Sequence, residues 1–182
     1  VLAGPVYWLT TRSDRLCKGA GQHVQAVWNP TLQDSIRVVF AATGRADATA
    51  AWELVQHGLD SYWQSWAAMR TDACQATRVR GEQSEALLDL RMQCLDRRLG
   101  ELRALTTLFA TRPDGVILDQ AVPAAMGLPS LGRCADAETL LAAYPPPDDA
   151  AARAEVDALR PRLDEIAALD LAGKYADGLA LA

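Results

Sequence analysis

Two long runs with apolar residues at helical spacing, separated by a short charged turn, limit what this chain can fold into. In the second run Leu88, Met92, Leu95, Leu99, Leu102 and Phe109, with Thr106 in the remaining slot, step by alternating fours and threes. That spacing draws one stripe down a helix. In the first run Trp52, Val55, Leu59, Tyr62, Trp66, Met69 and Ala73 keep the same rhythm. Between them stand Arg78, Val79, Arg80, Gly81, Glu82, Gln83 and Ser84, mostly polar and broken by glycine. Each stripe needs another surface to cover it, and a turn this short leaves the helices antiparallel neighbours. The pattern predicts helices over roughly 48–76 and 83–111 forming a long antiparallel hairpin.

Composition supports an all-α fold. Half of the 182 residues are apolar, Ala and Leu dominate, and only 2 are Phe. Scarce β-branched clusters favour helix over sheet. The length suits one domain, or one with a small appendage. A net charge of −5 argues against a nucleic-acid partner, which requires a basic face.

Shorter helices flank the hairpin. Residues 16–28 read as one, stopped by Asn29-Pro30. Thr31 is placed to cap the next, in which Leu32, Ile36, Val39 and Phe40 share a face and Gly44 ends the run. Asp47 caps the first long helix. Gly58, inside that helix, marks a place for close approach by a neighbour. After Pro113 a helix over 114–127 offers Val116, Ile117 and Val122 to the core, and Pro123 should kink or end it. Asp136 caps another short helix. Pro145, Pro146 and Pro147 form a stiff boundary, and Pro161 should kink or break the helical segment beyond it. Residues 171–182, with Gly173, Tyr175 and Gly178, resemble the turn and second helix of a tetratricopeptide repeat. Such a repeat needs neighbours to bury its faces.

The chain starts at Val1 without Met, as a piece of a longer protein would. Residues 1–9 are apolar but too short to cross a bilayer. They fit the end of a membrane helix, with Tyr7 and Trp8 at the interface, and equally a strand or arm packed on the domain.

Cys17, Cys74, Cys94 and Cys134 contain no CxxC pair, which disfavours structural zinc. They are either buried thiols of a cytosolic protein or two disulfides of an oxidising compartment. With the hairpin turn centred near Arg80, Cys74 lies about seven residues out of register with Cys94, roughly 10 Å along the axis. A disulfide spans less than about 7 Å between Cα atoms. Register therefore disfavours Cys74–Cys94. A helix running back after Pro113 brings Cys134 to the level of Cys94, and short N-terminal helices antiparallel to the first long one bring Cys17 to Cys74. That arrangement favours Cys17–Cys74 with Cys94–Cys134.

Chemistry-bearing patterns are sparse. His23 and His57 lack a metal-ligand partner at i+4, and no nucleophile elbow, HExxH or phosphate loop occurs. These observations predict no catalytic, cofactor-binding or metal site. The candidate recognition surface is the exposed tip carrying Arg78, Arg80 and Glu82, together with Trp63 on the tryptophan-rich first long helix. A turn salt bridge and plain core packing are the rival readings.

Several blocks carry a family resemblance: Leu16–Gly21 (LCKGAG), Ala26–Pro30 (AVWNP), Ala73–Leu102 (ACQATRVRGEQSEALLDLRMQCLDRRLGEL), Cys134–Asp136 (CAD) and the closing Ala172–Ala182. They resemble the segment between the membrane helix and the tetratricopeptide repeats of bacterial transmembrane serine/threonine protein kinases. The resemblance covers almost the whole chain. It implies that residues 1–9 end a membrane helix, that 10–144 form an extracytoplasmic helical domain, and that 145–182 lead into repeats. It also favours disulfides over free thiols. No VAIK-type lysine, HRD or DFG occurs, so the kinase's ATP and metal sites have no position here. The implied function is a non-catalytic sensor or interaction domain on the periplasmic side, taking a protein partner or a small ligand. The alternatives are a structural spacer and a cytosolic helical scaffold.

Overall fold

The computed structural model describes residues 17–112, 114–142, 147 and 149–182. The expected membrane-helix end at 1–9, the helix start at Leu16, and Pro113, Pro145 and Pro146 lie outside the described residues. The order of elements is α1 (Ala20–Gln25), α2 (Pro30–Ala42), α3 (Ala48–Arg78), α4 (Glu85–Thr111), α5 (Gly115–Met126), a 3-10 turn (Leu131–Cys134), α6 (Ala137–Ala142), α7 (Ala150–Leu171) and α8 (Tyr175–Leu181). The fold is an all-α bundle built on the α3–α4 hairpin.

Contacts along the hairpin run in opposite directions. Arg78 pairs with Glu85 at 3.1 Å, Arg70 with Asp96 at 2.6 Å, and the Trp66 indole N–H donates to the Leu95 carbonyl at 2.7 Å. The two stripes meet as expected, with Val55, Leu59, Trp66, Leu95, Leu102 and Phe109 wholly buried. One step differs. The buried stripe of α4 runs Leu88, Arg91, Leu95, and Met92 is only half-buried.

The other elements cover this hairpin. α2 packs on both α3 and α4, α5 on α3, and α7 along α4. Aromatic rings fill the space under α2: Phe40 meets Trp52 edge-on at 6.2 Å and Phe109 at 5.8 Å, while Trp52 lies 6.2 Å from Trp28. Ala168, Leu169 and Ala172 at the end of α7 belong to the same core. The segment beyond the proline run is therefore packed on the bundle.

Local chemistry explains the departures from expectation. The first helix is shorter than 16–28, because Gly19, at φ 128°, lies outside helical space and precedes it. Asn29, not Thr31, caps α2: its side chain accepts from the Leu32 N–H, and Pro30 takes the first helical position, where its missing N–H costs nothing. Asp47 precedes α3 without a capping hydrogen bond, because Arg45 holds its carboxylate. Ser84 caps α4 and Asp136 caps α6 through the Leu87 and Thr139 N–H groups.

Val116 is 47% exposed, and α5 instead buries Ile117, Leu118, Ala121, Ala124 and Ala125. Neither Pro123 nor Pro161 ends its helix. Pro123 lies one turn from the end of α5, where its own carbonyl still accepts from Gly127 at 2.7 Å. Pro161 lies in a stretch of α7 whose outer side faces water, which can satisfy the carbonyl left without its N–H partner.

Candidate functional site

The hairpin tip is built around Gly81, whose φ of 66° lets the chain leave α3 and return. The Arg80 and Glu82 N–H groups donate back to the Gln75 and Ala76 carbonyls at 2.9 and 2.8 Å. The expected recognition residues Arg78, Arg80 and Glu82 stand exposed there, with their charges already matched. Arg78 pairs with Glu85, and Arg80 pairs with Glu82 at 2.7 Å and with Asp72 at 2.8 Å.

Beneath the tip lies Arg91, only 7% exposed. It donates to Asp72 at 3.1 Å, to the Gln83 side-chain oxygen at 3.0 Å and to the Cys134 carbonyl at 3.3 Å. The Gln83 amide in turn donates to the Ala73 carbonyl and to Thr77 Oγ1 at 2.9 and 2.8 Å. The hydrogen bond from Arg80 holds the Asp72 carboxyl below the usual carboxylate range, against the opposing effect of burial and with help from Arg91. This network joins α3, the turn, α4 and the 3-10 turn. A charged residue in the stripe position between Leu88 and Leu95 is the sequence signal that marks it.

Trp63 is not part of the tip. It lies fifteen residues before Arg78 on α3, about 22 Å along the axis, and is half-buried with its indole N–H on Asp60 at 3.2 Å. Asp60 also accepts from the Trp28 indole at 2.7 Å. Trp66 is fully buried with Arg70 stacked 5.2 Å above its ring. The tryptophans on α3 work mainly as core and as anchors for neighbouring helices.

All four cysteines are bonded, Cys17 to Cys74 and Cys94 to Cys134, with Cα separations of 5.7 and 5.4 Å. These are the pairs that the sequence favours. With Arg78 opposite Glu85, Cys74 stands near position 89, about 7–8 Å of helical rise from Cys94 and about two residues from the assumed register. Direction adds to that offset: Cys94 points into the core toward the 3-10 turn, whereas Cys74 faces the loop before α1. Cys94 and Cys134 are buried and Cys17 and Cys74 only half-buried. Disulfides of this kind suit an oxidising compartment. Among the described residues, no helix is long and apolar enough to cross a membrane, and no three of His, Cys, Asp and Glu converge on a metal position.

Two concave regions are placed for ligand contact. One, about 610 Å³, opens beside the Cys17–Cys74 bond between Lys18, Gly19 and the start of α1 on one side and Ala67, Thr71 and Gln75 of α3 on the other. The other is the groove between α4 and α7, where Gly100 lets the Asp164 carboxylate press against the α4 backbone. Recesses of about 440 and 290 Å³ lie on either side of that contact. Burial raises the carboxyl pKa of both Glu101 and Asp164; for Glu101 it outweighs the ion pair with Arg98 at 3.0 Å. Burial likewise weakens Arg97 as a base, and the charges of Arg160 and Arg98 act in the same direction. Sequence reading missed this groove, because its residues lie on polar positions of two separately amphipathic helices.

No protein-family profile, no curated protein and no solved structure matches this chain.

Proposed function

We propose that this chain is the non-catalytic extracytoplasmic domain of a transmembrane bacterial serine/threonine protein kinase, joining its membrane helix to tetratricopeptide repeats. In this reading, a ligand or protein partner bound here biases the kinase across the membrane by shifting its association or orientation. The observation that carries the reading is the pair of disulfides tying both flanks of the hairpin to α3 and α4, within the Ala73–Leu102 block that bears the resemblance. Support also comes from the α7–α8 hairpin. It turns at Gly173, φ 71°, and leaves Leu163, Tyr175 and Leu179 61%, 67% and 79% exposed, as a helical pair awaiting a neighbouring repeat would.

The test is non-reducing peptide mapping of the protein alkylated in intact cells. The reading expects both disulfides; four alkylated thiols would sink the extracytoplasmic placement and favour the cytosolic scaffold. A structural spacer is the second reading, favoured by the self-paired charges at the tip. Replacing this domain with an inert helical spacer of equal length separates them: unchanged regulation of the kinase means spacing alone.

A further inference from the structure

Arginines in this chain are mostly engaged, which makes the unengaged ones informative. Among the described residues Arg97, Arg103, Arg133 and Arg153 make no hydrogen bond and no ion pair. Arg97 and Arg153 line the same 440 Å³ recess between α4 and α7, together with Arg160, and Arg103 lines the adjoining one. Only Arg133 lies elsewhere.

The larger recess is lined by as many aspartates as arginines, but the acids are engaged with other groups. Asp96 is held by Arg70 at 2.6 Å, Asp157 by Arg160 at 3.1 Å, and Asp164, against Gly100, is attracted by Arg160, Arg98 and Arg103. Glu101, which also attracts Arg97, is paired with Arg98. The Arg97 and Arg153 guanidiniums are left facing a concave space with no protein partner for their donors, and Arg153 is exposed. Arg97 is half-buried there, with its charge disfavoured by lost hydration and by Arg160 and Arg98. A bound anion would relieve both costs, and a guanidinium fork matches the planar oxygens of a carboxylate or phosphate.

We propose that the α4–α7 recess is a binding site for a small oxyanion ligand, a carboxylate or phosphate compound gripped by Arg97 and Arg153. Its volume suits a small molecule. The ligand draws α4 and α7 together, since each helix supplies one arginine. The site requires neither the kinase nor the membrane assignment, so its failure and theirs are separable.

The experiment is calorimetric titration of the 182-residue chain at low ionic strength with succinate and, separately, inorganic phosphate. Saturable binding of one of them is expected, and which one distinguishes a carboxylate ligand from a phosphate ligand. Arg97→Gln and Arg153→Gln should each weaken it about tenfold or more, the loss of one charge-assisted contact. Arg133→Gln should leave it unchanged. If Arg97→Gln fails to fold, Arg97→Lys keeps the charge without the fork and should still weaken binding. Absence of saturation with both anions, or equal loss with Arg133→Gln, would overturn the proposal.

Discussion

Replacing Arg91 with alanine leaves the Cys134 carbonyl and the Gln83 oxygen short of a donor and removes one partner from Asp72. Partly buried polar groups left unpaired cost about 1–3 kcal/mol, and Asp72 keeps Arg80 and is largely exposed. Arg91→Ala should therefore lower unfolding stability by about 2–3 kcal/mol, read from the urea midpoint at constant slope. Two glycines give an opposed pair of outcomes. A Cβ at Gly58 meets only the end of the Met126 side chain, the methyl at 2.7 Å and the sulfur at 3.3 Å, and that side chain is mostly exposed and can swing away. Gly58→Ala should then stabilise α3 by up to about 1 kcal/mol. At Gly100 the Cβ runs into the shorter Asp164 carboxylate on a packed helix. Gly100→Ala should destabilise the protein, and Asp164→Ala in the same chain should recover part of the loss. A double-mutant cycle measures that coupling.

Among the elements, α7 is the one whose attachment depends on charge. Glu101 and Asp164, at its contact with α4, have raised carboxyl pKa values because burial disfavours their charged forms. The folded state therefore holds more protons than the unfolded chain between the ordinary carboxylate pKa and the raised one. Stability from these groups falls as pH rises through that window and is greatest below it. Asp72 has the opposite sign: its lowered pKa supports the tip above the ordinary carboxylate value and loses that support as acid protonates it. Mild acidification should slow amide exchange in α7, after correction for intrinsic rates, before the hairpin tip loosens. Exchange in α7 that speeds up on the same acidification would contradict this account.

For the whole molecule, the disulfides close loops of 57 and 40 residues in sequence separation. Loop-closure entropy assigns each about 4 kcal/mol. Their exposures differ, so a titration with a small thiol should open Cys17–Cys74 first and leave Cys94–Cys134 intact until the core opens. Differential alkylation with mass spectrometry reads that order, and simultaneous opening would show that the bundle unfolds as one unit. Losing the first bond should free the loop before α1 while Val24, Val27 and Trp28 stay buried.

Much of this architecture was legible as period and punctuation. The stripes from Trp52 to Ala73 and from Leu88 to Phe109, the turn at Gly81 and the cap at Asp136 each depend on residues close in sequence. Local backbone physics is enough to read them. Pro161 shows where that stops, because a helix packed on α4 outweighs the cost of one missing hydrogen bond. Val116 shows the same limit on α5, where orientation against α3 selects Ile117 and Leu118 for the core. The cysteine pairs followed from topology, and the direction of each side chain adds to an axial offset somewhat smaller than assumed in separating Cys74 from Cys94. The candidate site was least legible. Arg78 and Arg80 stood out as exposed charges, but tertiary packing matches them to Glu85, Glu82 and Asp72. It leaves Arg97 and Arg153 unmatched in a groove between helices far apart in the chain. The sequence alone determined the helices and the antiparallel hairpin, since these follow from spacing along one strand of residues. Only the tertiary structure decided which charges cancel and which stay available, because that depends on how separate helices are rotated against one another.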